Sequence, residues 1–282
     1  MRRISVVATI RDAYMFTATH LGGIIGLIWV SMVLLTVMGF FSSQQLYNDV
    51  VEALASSNAE RMGPSLLMWL AYLIAALFLQ AVMYVAVTQL ALGMRGAPTW
   101  AHFAFGPAEW RMFRALLAFF GLVFSVSLLG SVALNSIARQ APQAALAIPL
   151  IVNGVILIAI ARFFTLLPAI SITESVPVLR RAWLLSAGNF WRLFAVLLAI
   201  VVPMFILAVL LLAPVAEWIP PLPVVDGRQT QQLAMFIWLR QTLPLLWGLL
   251  FLVWPLVIGL FAGASVSVWR ALKDEPALDI AV

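Results

Sequence analysis

The feature that most constrains this chain is a series of apolar segments, each long enough to cross a lipid bilayer. A transmembrane helix needs about 20 apolar residues to span a hydrocarbon core ~30 Å thick. Six segments meet this requirement, near residues 21–41, 66–93, 115–136, 144–168, 192–216 and 242–267. The sequence therefore predicts an all-α fold, a polytopic membrane bundle of six transmembrane helices.

Composition supports one membrane domain over residues 1–282. Of the 282 residues, 64% are hydrophobic and 10% are charged, whereas about one quarter of a soluble domain is charged. The first apolar segment is longer than the roughly 7–15 apolar residues of a signal peptide, so we expect it to be a retained first span. The chain has no cysteine, which excludes disulfides and thiolate chemistry.

The distribution of positive charge predicts the orientation in the membrane. Twelve of the 16 lysines and arginines lie on the same side of the six spans as the termini, and only four lie on the other side: Arg61, Arg139, Arg228 and Arg240. Positively charged loops stay in the cytoplasm, so both termini are predicted to be cytoplasmic. Because the basic residues form neither a run nor a stripe, nucleic-acid binding is not expected.

Three segments on that side have the pattern of amphipathic helices that lie at the membrane interface. In the first, Val7, Ile10 and Tyr14 share a face at helical spacing. In the second, aromatic residues lie among arginines: Trp100, Phe103, Phe105 and Trp110 with Arg95, Arg111 and Arg114. In the third, Val178, Ala182 and Leu185 form an apolar face, and Gly188 is a natural stop for the helix.

The three segments suggest an internal repeat. Residues 10–21 align without gaps to 179–190, and residues 110–118 align to 191–199. This predicts three copies of an interfacial helix followed by a transmembrane hairpin. The alternative is that any two basic and aromatic segments leading into a span look alike.

Few residues could carry chemistry. The two histidines have no carboxylate at metal-ligand spacing, no phosphate-binding loop is present, and no Asp or Glu lies within the six spans; we therefore expect no metal, no cofactor and no proton-coupled transport. Gln80 and Asn153 lie near the middle of their spans, either as substrate contacts in a central cavity or as interhelical hydrogen bonds. Arg162, near the inner end of the fourth span, is expected to pair with Glu174 or with a lipid phosphate.

One stretch has a recognisable pattern. Residues 162–174 read Arg-Phe-Phe-Thr-Leu-Leu-Pro-Ala-Ile-Ser-Ile-Thr-Glu, and residues 178–194 contain Ala182, Gly188, Trp191 and Arg192. This resembles the membrane domain fused to some bacterial glycerophosphoryl diester phosphodiesterases, and related six-helix proteins of unknown function. The resemblance implies the fold and a bacterial inner-membrane location. It does not imply the phosphodiesterase activity, which belongs to a separate soluble domain.

These observations favour a non-enzymatic inner-membrane protein with a structural, assembly or lipid-associated role. Its expected partners are anionic membrane lipids and other membrane proteins. The residues expected at lipid headgroups or in structural contacts are Arg162, Glu174, Arg180, Arg181, Trp191 and Arg192. The alternative is a transporter or permease component for a small solute or lipid, supported by Gln80, Asn153 and the prolines that interrupt the last three spans.

Overall fold

The computed structural model describes residues 3–56, 62–94, 106–138, 147–220, 223 and 228–273, and no strand occurs among them. Six helices are long and apolar enough to cross a membrane, which confirms the predicted number of spans. The helices are α1 (Val6–Ser56), α2 (Met62–Ala91), α3 (Pro107–Ala138), α4 (Ala147–Phe163), α5 (Leu167–Thr173), α6 (Val178–Ser186), α7 (Phe190–Leu212) and α8 (Arg228–Lys273), with a 3-10 helix at Ala213–Trp218 after α7.

The first and last spans are much longer than predicted. Helix α1 has 51 residues and α8 has 46, so α1 is roughly 76 Å long at 1.5 Å per residue. The amphipathic segment around Tyr14 is therefore not a separate interfacial helix, and that prediction was wrong. No proline occurs between residues 6 and 56 to end the helix.

Helices α1 and α8 remain paired beyond the membrane-spanning segments. The rings of Tyr47 and Phe236 are 6.1 Å apart, and Arg240 donates a hydrogen bond to Asn48 Oδ1 at 3.2 Å. The sixth span was predicted from residue 242, but α8 already begins at Arg228. The two helices form an antiparallel projection at this end of the bundle, which we call the far end.

The fourth span is broken near its end. A continuous helix was expected over 144–168, but α4 ends at Phe163 and α5 begins at Leu167; residues 144–146 lie outside the described residues. Pro168 explains the break because proline lacks the N–H that would continue the helix but is accepted in a first turn. The turn places α5 against α2, α3 and α8, and α6 against α3 and α4.

Among the described residues, α6 is the predicted interfacial helix that forms a separate element. Its apolar face, Val178, Ala182 and Leu185, is buried, and Gly188 follows it with a φ of +74°, a value that glycine adopts without strain. Residues 10–21 run through one helix, whereas the aligned residues 179–190 are interrupted after α6. The aligned segments thus differ in local structure. The second interfacial segment lies mostly outside the described residues, including His102.

Protein packing is concentrated at the end of the bundle where α1 begins and α8 finishes, which we call the basic end. Buried side chains form an unbroken run over residues 81–88 of α2 and 258–266 of α8. In α3, α4 and α7, the buried residues within the described ranges lie in the part nearest the basic end, namely Glu109, Met112, Ala115, Leu116 and Phe119 of α3, Ala159, Ala161 and Phe163 of α4, and Leu193, Val196, Leu197 and Ile200 of α7.

Candidate functional site

Glu174 joins three elements at the basic end. Its Oε2 accepts a hydrogen bond from Arg181 Nε at 2.9 Å, and its Oε1 accepts one from Trp269 Nε1 at 3.4 Å. The Lys273 ammonium lies 4.5 Å from the centre of the Trp269 ring. Glu174 follows α5, Arg181 lies on α6 and Trp269 on α8. The carboxylate thus fixes the break in the fourth span to its neighbours.

The predicted ion pair between Arg162 and Glu174 was wrong. The Arg162 guanidinium instead lies 4.0 Å from the centre of the Trp183 ring, and Phe163 stacks on the same ring at 5.7 Å. The Nε atom of Arg162 is buried, and none of the described residues bonds to it. A cation over a tryptophan face is stabilised by the ring quadrupole. Arg162 therefore holds α4 against α6.

The start of the chain is attached to the segment that leads into α7. Asn189, which is buried, accepts a hydrogen bond from the Ile4 N–H at 3.3 Å, and Arg192 Nη1 donates to the Ile4 carbonyl at 3.3 Å. Beside them Trp191 is 75% exposed and Arg180 is exposed. Of the four arginines expected at lipid headgroups, Arg162, Arg181 and Arg192 have partners within the protein.

Two other arginines border a cavity at the basic end. The cavity measures about 420 Å³ and lies between α3 and the segment leading into α6, and its lining residues are Arg111, Arg114, Ala115 and residues 175–179. Arg111 Nε donates a hydrogen bond to the Ser171 carbonyl at 2.8 Å. The two terminal nitrogens of its guanidinium make no hydrogen bond within the described residues. Arg114 is exposed, and it makes no hydrogen bond or ion pair within the described part of the chain.

The first turn of α6 adds to the positive potential of this cavity. The first hydrogen bond of the helix runs from Arg181 N–H to the Pro177 carbonyl at 3.0 Å, so the N–H groups of Val178 and Leu179 precede it. Free amides and the helix dipole favour an anion at such a terminus. Two guanidinium groups and a helix start can therefore hold one phosphate, for which arginine has matching donor geometry.

The sequence placed Arg111 and Arg114 at the membrane interface but did not single them out as a site. Their spacing of three residues puts them on one helix face, which was the available signal. The opposite wall of the cavity, residues 175–179, follows the break in the fourth span, which was not predicted. The cavity therefore could not be derived from the sequence.

The two central polar residues do not share a cavity, contrary to the functional interpretation. Asn153 is exposed, and its Nδ2 donates to the Pro149 carbonyl of its own helix at 2.7 Å. Asn153 also makes no hydrogen bond to another helix within the described residues, so the alternative prediction for it is wrong. Gln80 lies instead beside a separate cavity between α1, α2 and α8.

No group of three or more metal-ligating side chains occurs within the described ranges. His20 is exposed, and its Nδ1 lies 2.8 Å from Thr19 Oγ1 and 3.1 Å from the Phe16 carbonyl.

Comparisons of the chain with protein-family models, curated proteins and solved structures found no match. The resemblance to the membrane domain of glycerophosphoryl diester phosphodiesterases therefore stays a prediction.

Proposed function

We propose that this chain is a non-enzymatic, multi-pass protein of a bacterial inner membrane that binds anionic lipid headgroups at its basic end. The observation that carries the proposal is the cavity of about 420 Å³ with Arg111 and Arg114 on one wall and the start of α6 on the other. Spans α3 and α4 approach this end through the membrane, so a lipid phosphate can reach the cavity from the side.

The same end carries the exposed aromatic residues that favour the membrane interface. Trp110, Trp183 and Trp191 are 49%, 47% and 75% exposed, and tryptophan is enriched where headgroups meet the hydrocarbon core. Each basic residue near an anionic membrane surface contributes ~1 kcal/mol to attraction. The proposal therefore places the basic end, and both termini, on the cytoplasmic side.

Lipid retention tests the headgroup site. The protein is purified in mild detergent, and retained phosphatidylglycerol, cardiolipin and phosphatidylethanolamine are measured by mass spectrometry. Arg114→Gln removes no hydrogen bond or ion pair within the described residues. It should lower retention of the anionic lipids about fivefold, because one basic contact near the surface is lost. Adding Arg111→Gln should lower it further.

Arg240→Gln is the matched control, since it removes the same charge from the far end and should change lipid retention little. Replacing Arg180, Arg181 and Arg192 together should have a smaller effect than replacing Arg111 and Arg114, because Arg181 and Arg192 already have internal partners. If the Arg111 and Arg114 variants keep their anionic lipids, or Arg240→Gln loses as much, the proposal is wrong. If an Arg111 or Arg114 variant keeps its anionic lipids but abolishes solute uptake by reconstituted vesicles, the transporter alternative is favoured.

Single-cysteine labelling tests the orientation, since the native chain has no cysteine. Ser175→Cys lies exposed at the basic end and Ser56→Cys at the far end of α1. In intact inner-membrane spheroplasts, a membrane-impermeant maleimide should label the cysteine at position 56 and spare the one at position 175 until detergent is added. The reverse pattern would invert the proposed topology.

A further inference from the structure

A second cavity lies within the membrane-spanning part of α1, α2 and α8, away from the arginines. It measures about 100 Å³. Three aromatic residues of α8 line one side at spacings of four and three residues: Trp247, Phe251 and Trp254. Tyr72 of α2 faces them, and its ring lies 6.1 Å from the Trp247 ring in an edge-to-face arrangement. The cavity therefore has aromatic walls on two helices.

Gly39 fixes the position of one of these walls. A side chain at residue 39 would overlap the Trp247 ring, so the close approach of α8 to α1 at this level requires glycine. The Trp247 ring is thus held between α1 and Tyr72 and does not fill the space in front of Gln80. The cavity is part of the packing of the three best-buried spans.

Four side chains with polar groups line the cavity, and none of these groups makes a hydrogen bond within the described residues. They are the side chains of Thr36, Tyr72 and Gln80 and the indole N–H of Trp254, which is buried. An unsatisfied polar group at membrane depth costs free energy because lipid cannot supply a hydrogen bond. Other polar residues in the spans avoid this cost by bonding their own helix, as Ser125, Ser131 and Asn153 do.

Charge and volume restrict what could satisfy these groups. The lining contains no acidic or basic side chain, so an ion entering from water would have no counter-charge in a low-dielectric site. A buried water needs a cavity volume of about 10–15 Å³ and two to four polar partners. The volume would admit several waters, but four polar groups can hold only one or two, and the remaining wall is hydrocarbon and aromatic.

We infer that this cavity is a binding site for a small neutral solute, an amide or a short polyol, that presents hydrogen-bonding groups on one side and a flat or hydrocarbon face on the other. The Gln80 carboxamide can donate and accept at once, and Thr36 and Tyr72 supply hydroxyl groups. Trp247 and Trp254 cover the apolar face. The site is independent of the headgroup cavity and assigns Gln80, but not Asn153, to ligand contact.

Fluorine NMR can observe the two tryptophans directly. The full chain, labelled with 5-fluorotryptophan and placed in lipid nanodiscs, is titrated with acetamide, with glycerol and with sodium chloride. Replacing Trp247 and Trp254 one at a time by Phe assigns their resonances. Acetamide or glycerol should shift both resonances saturably, and sodium chloride should not.

Gln80→Leu should weaken the response about tenfold, since hydrogen bonds to the amide are lost. The matched control Asn153→Leu makes the same kind of change at the middle of another span and should leave it unchanged. The remaining tryptophan resonances report whether each variant is folded. Linear shifts without saturation, a response equal for sodium chloride, or equal effects of the two Leu variants would overturn the inference and leave a site for water only. Loss of lipid binding in the Arg111 and Arg114 variants would not affect this result.

Discussion

The basic half and the far half of this bundle are built from the same six spans but packed differently. Residues 258–266 of α8 are buried without interruption, whereas no residue of α3 from 120 to 137 is buried. Residues 147–158 of α4 and 201–212 of α7 likewise include no buried residue. In the basic half the helices contact one another, and in the far half α3, α4 and α7 present most of their surface to the membrane.

The polar contacts follow the same division. Near the basic end they join different elements, as when Arg111 bonds Ser171 or the Ala169 N–H donates to Ser265 Oγ at 3.1 Å. In the far parts of α3 and α4 the side chains bond the carbonyl four residues earlier in their own helix, as Ser131 does with Ser127. Hydropathy identifies a span in both halves. Only contacts between helices distinguish a span that is held by protein from one that is held by lipid.

The largest expected effect tests a close backbone contact between α1 and α8 in the basic half. A side chain at Gly263 of α8 would lie 3.0 Å from the Ala13 Cα and 3.1 Å from the Phe16 ring of α1, whereas one at Gly248 would meet nothing within 4 Å. Gly263→Val should therefore lower the free energy of unfolding by about 3 kcal/mol, at the upper end of overpacking effects, because backbone must move.

Gly248→Val is the control for this prediction, since it makes the same replacement in the same helix without a neighbour. It should change stability by less than about 1 kcal/mol, the scale of helix propensity. Thermal unfolding in detergent measures both variants. Equal losses would show that α1 and α8 do not approach as closely at Gly263 as the structure has it.

A smaller effect compares the two ends of one helix. Leu116 is fully buried and Leu129 is 69% exposed, and both lie on α3. Leu116→Ala should cost about 2 kcal/mol, near the low end of core truncations, because lipid is as apolar as leucine and mainly packing is lost. Leu129→Ala should cost less than about 0.5 kcal/mol. A similar loss at both positions would mean that the far part of α3 is covered by protein.

The sequence predicted the number of spans and the face of α6, because hydropathy and helical spacing are local properties. It did not predict the partners of Arg162 and Glu174. Glu174 lies twelve positions after Arg162, and a carboxylate just past a helix-ending proline can turn back toward that arginine. The actual partners, Trp183 and Arg181, depend on how α6 folds against α4 and α5. The length of α1 was also missed, since a polar segment after a span reads equally well as loop or as helix.

The smallest effect concerns which arginine Glu174 stabilises. Glu174 and Arg181 are partly accessible, with side chains 20% and 36% exposed, so their coupling should be about 1 kcal/mol, at the upper end for surface pairs. In a double-mutant cycle of Glu174→Gln and Arg181→Gln, the double variant should therefore lose about 1 kcal/mol less than the two single losses combined, because each single change already breaks the pair. The cycle of Glu174→Gln with Arg162→Gln is the control. Those two losses should add within about 0.5 kcal/mol, since Arg162 is held by Trp183. Thermal unfolding of the five variants measures both cycles. Coupling in the second cycle and additivity in the first would restore the pair predicted from the sequence, and would mean that α6 does not lie against α4 as described.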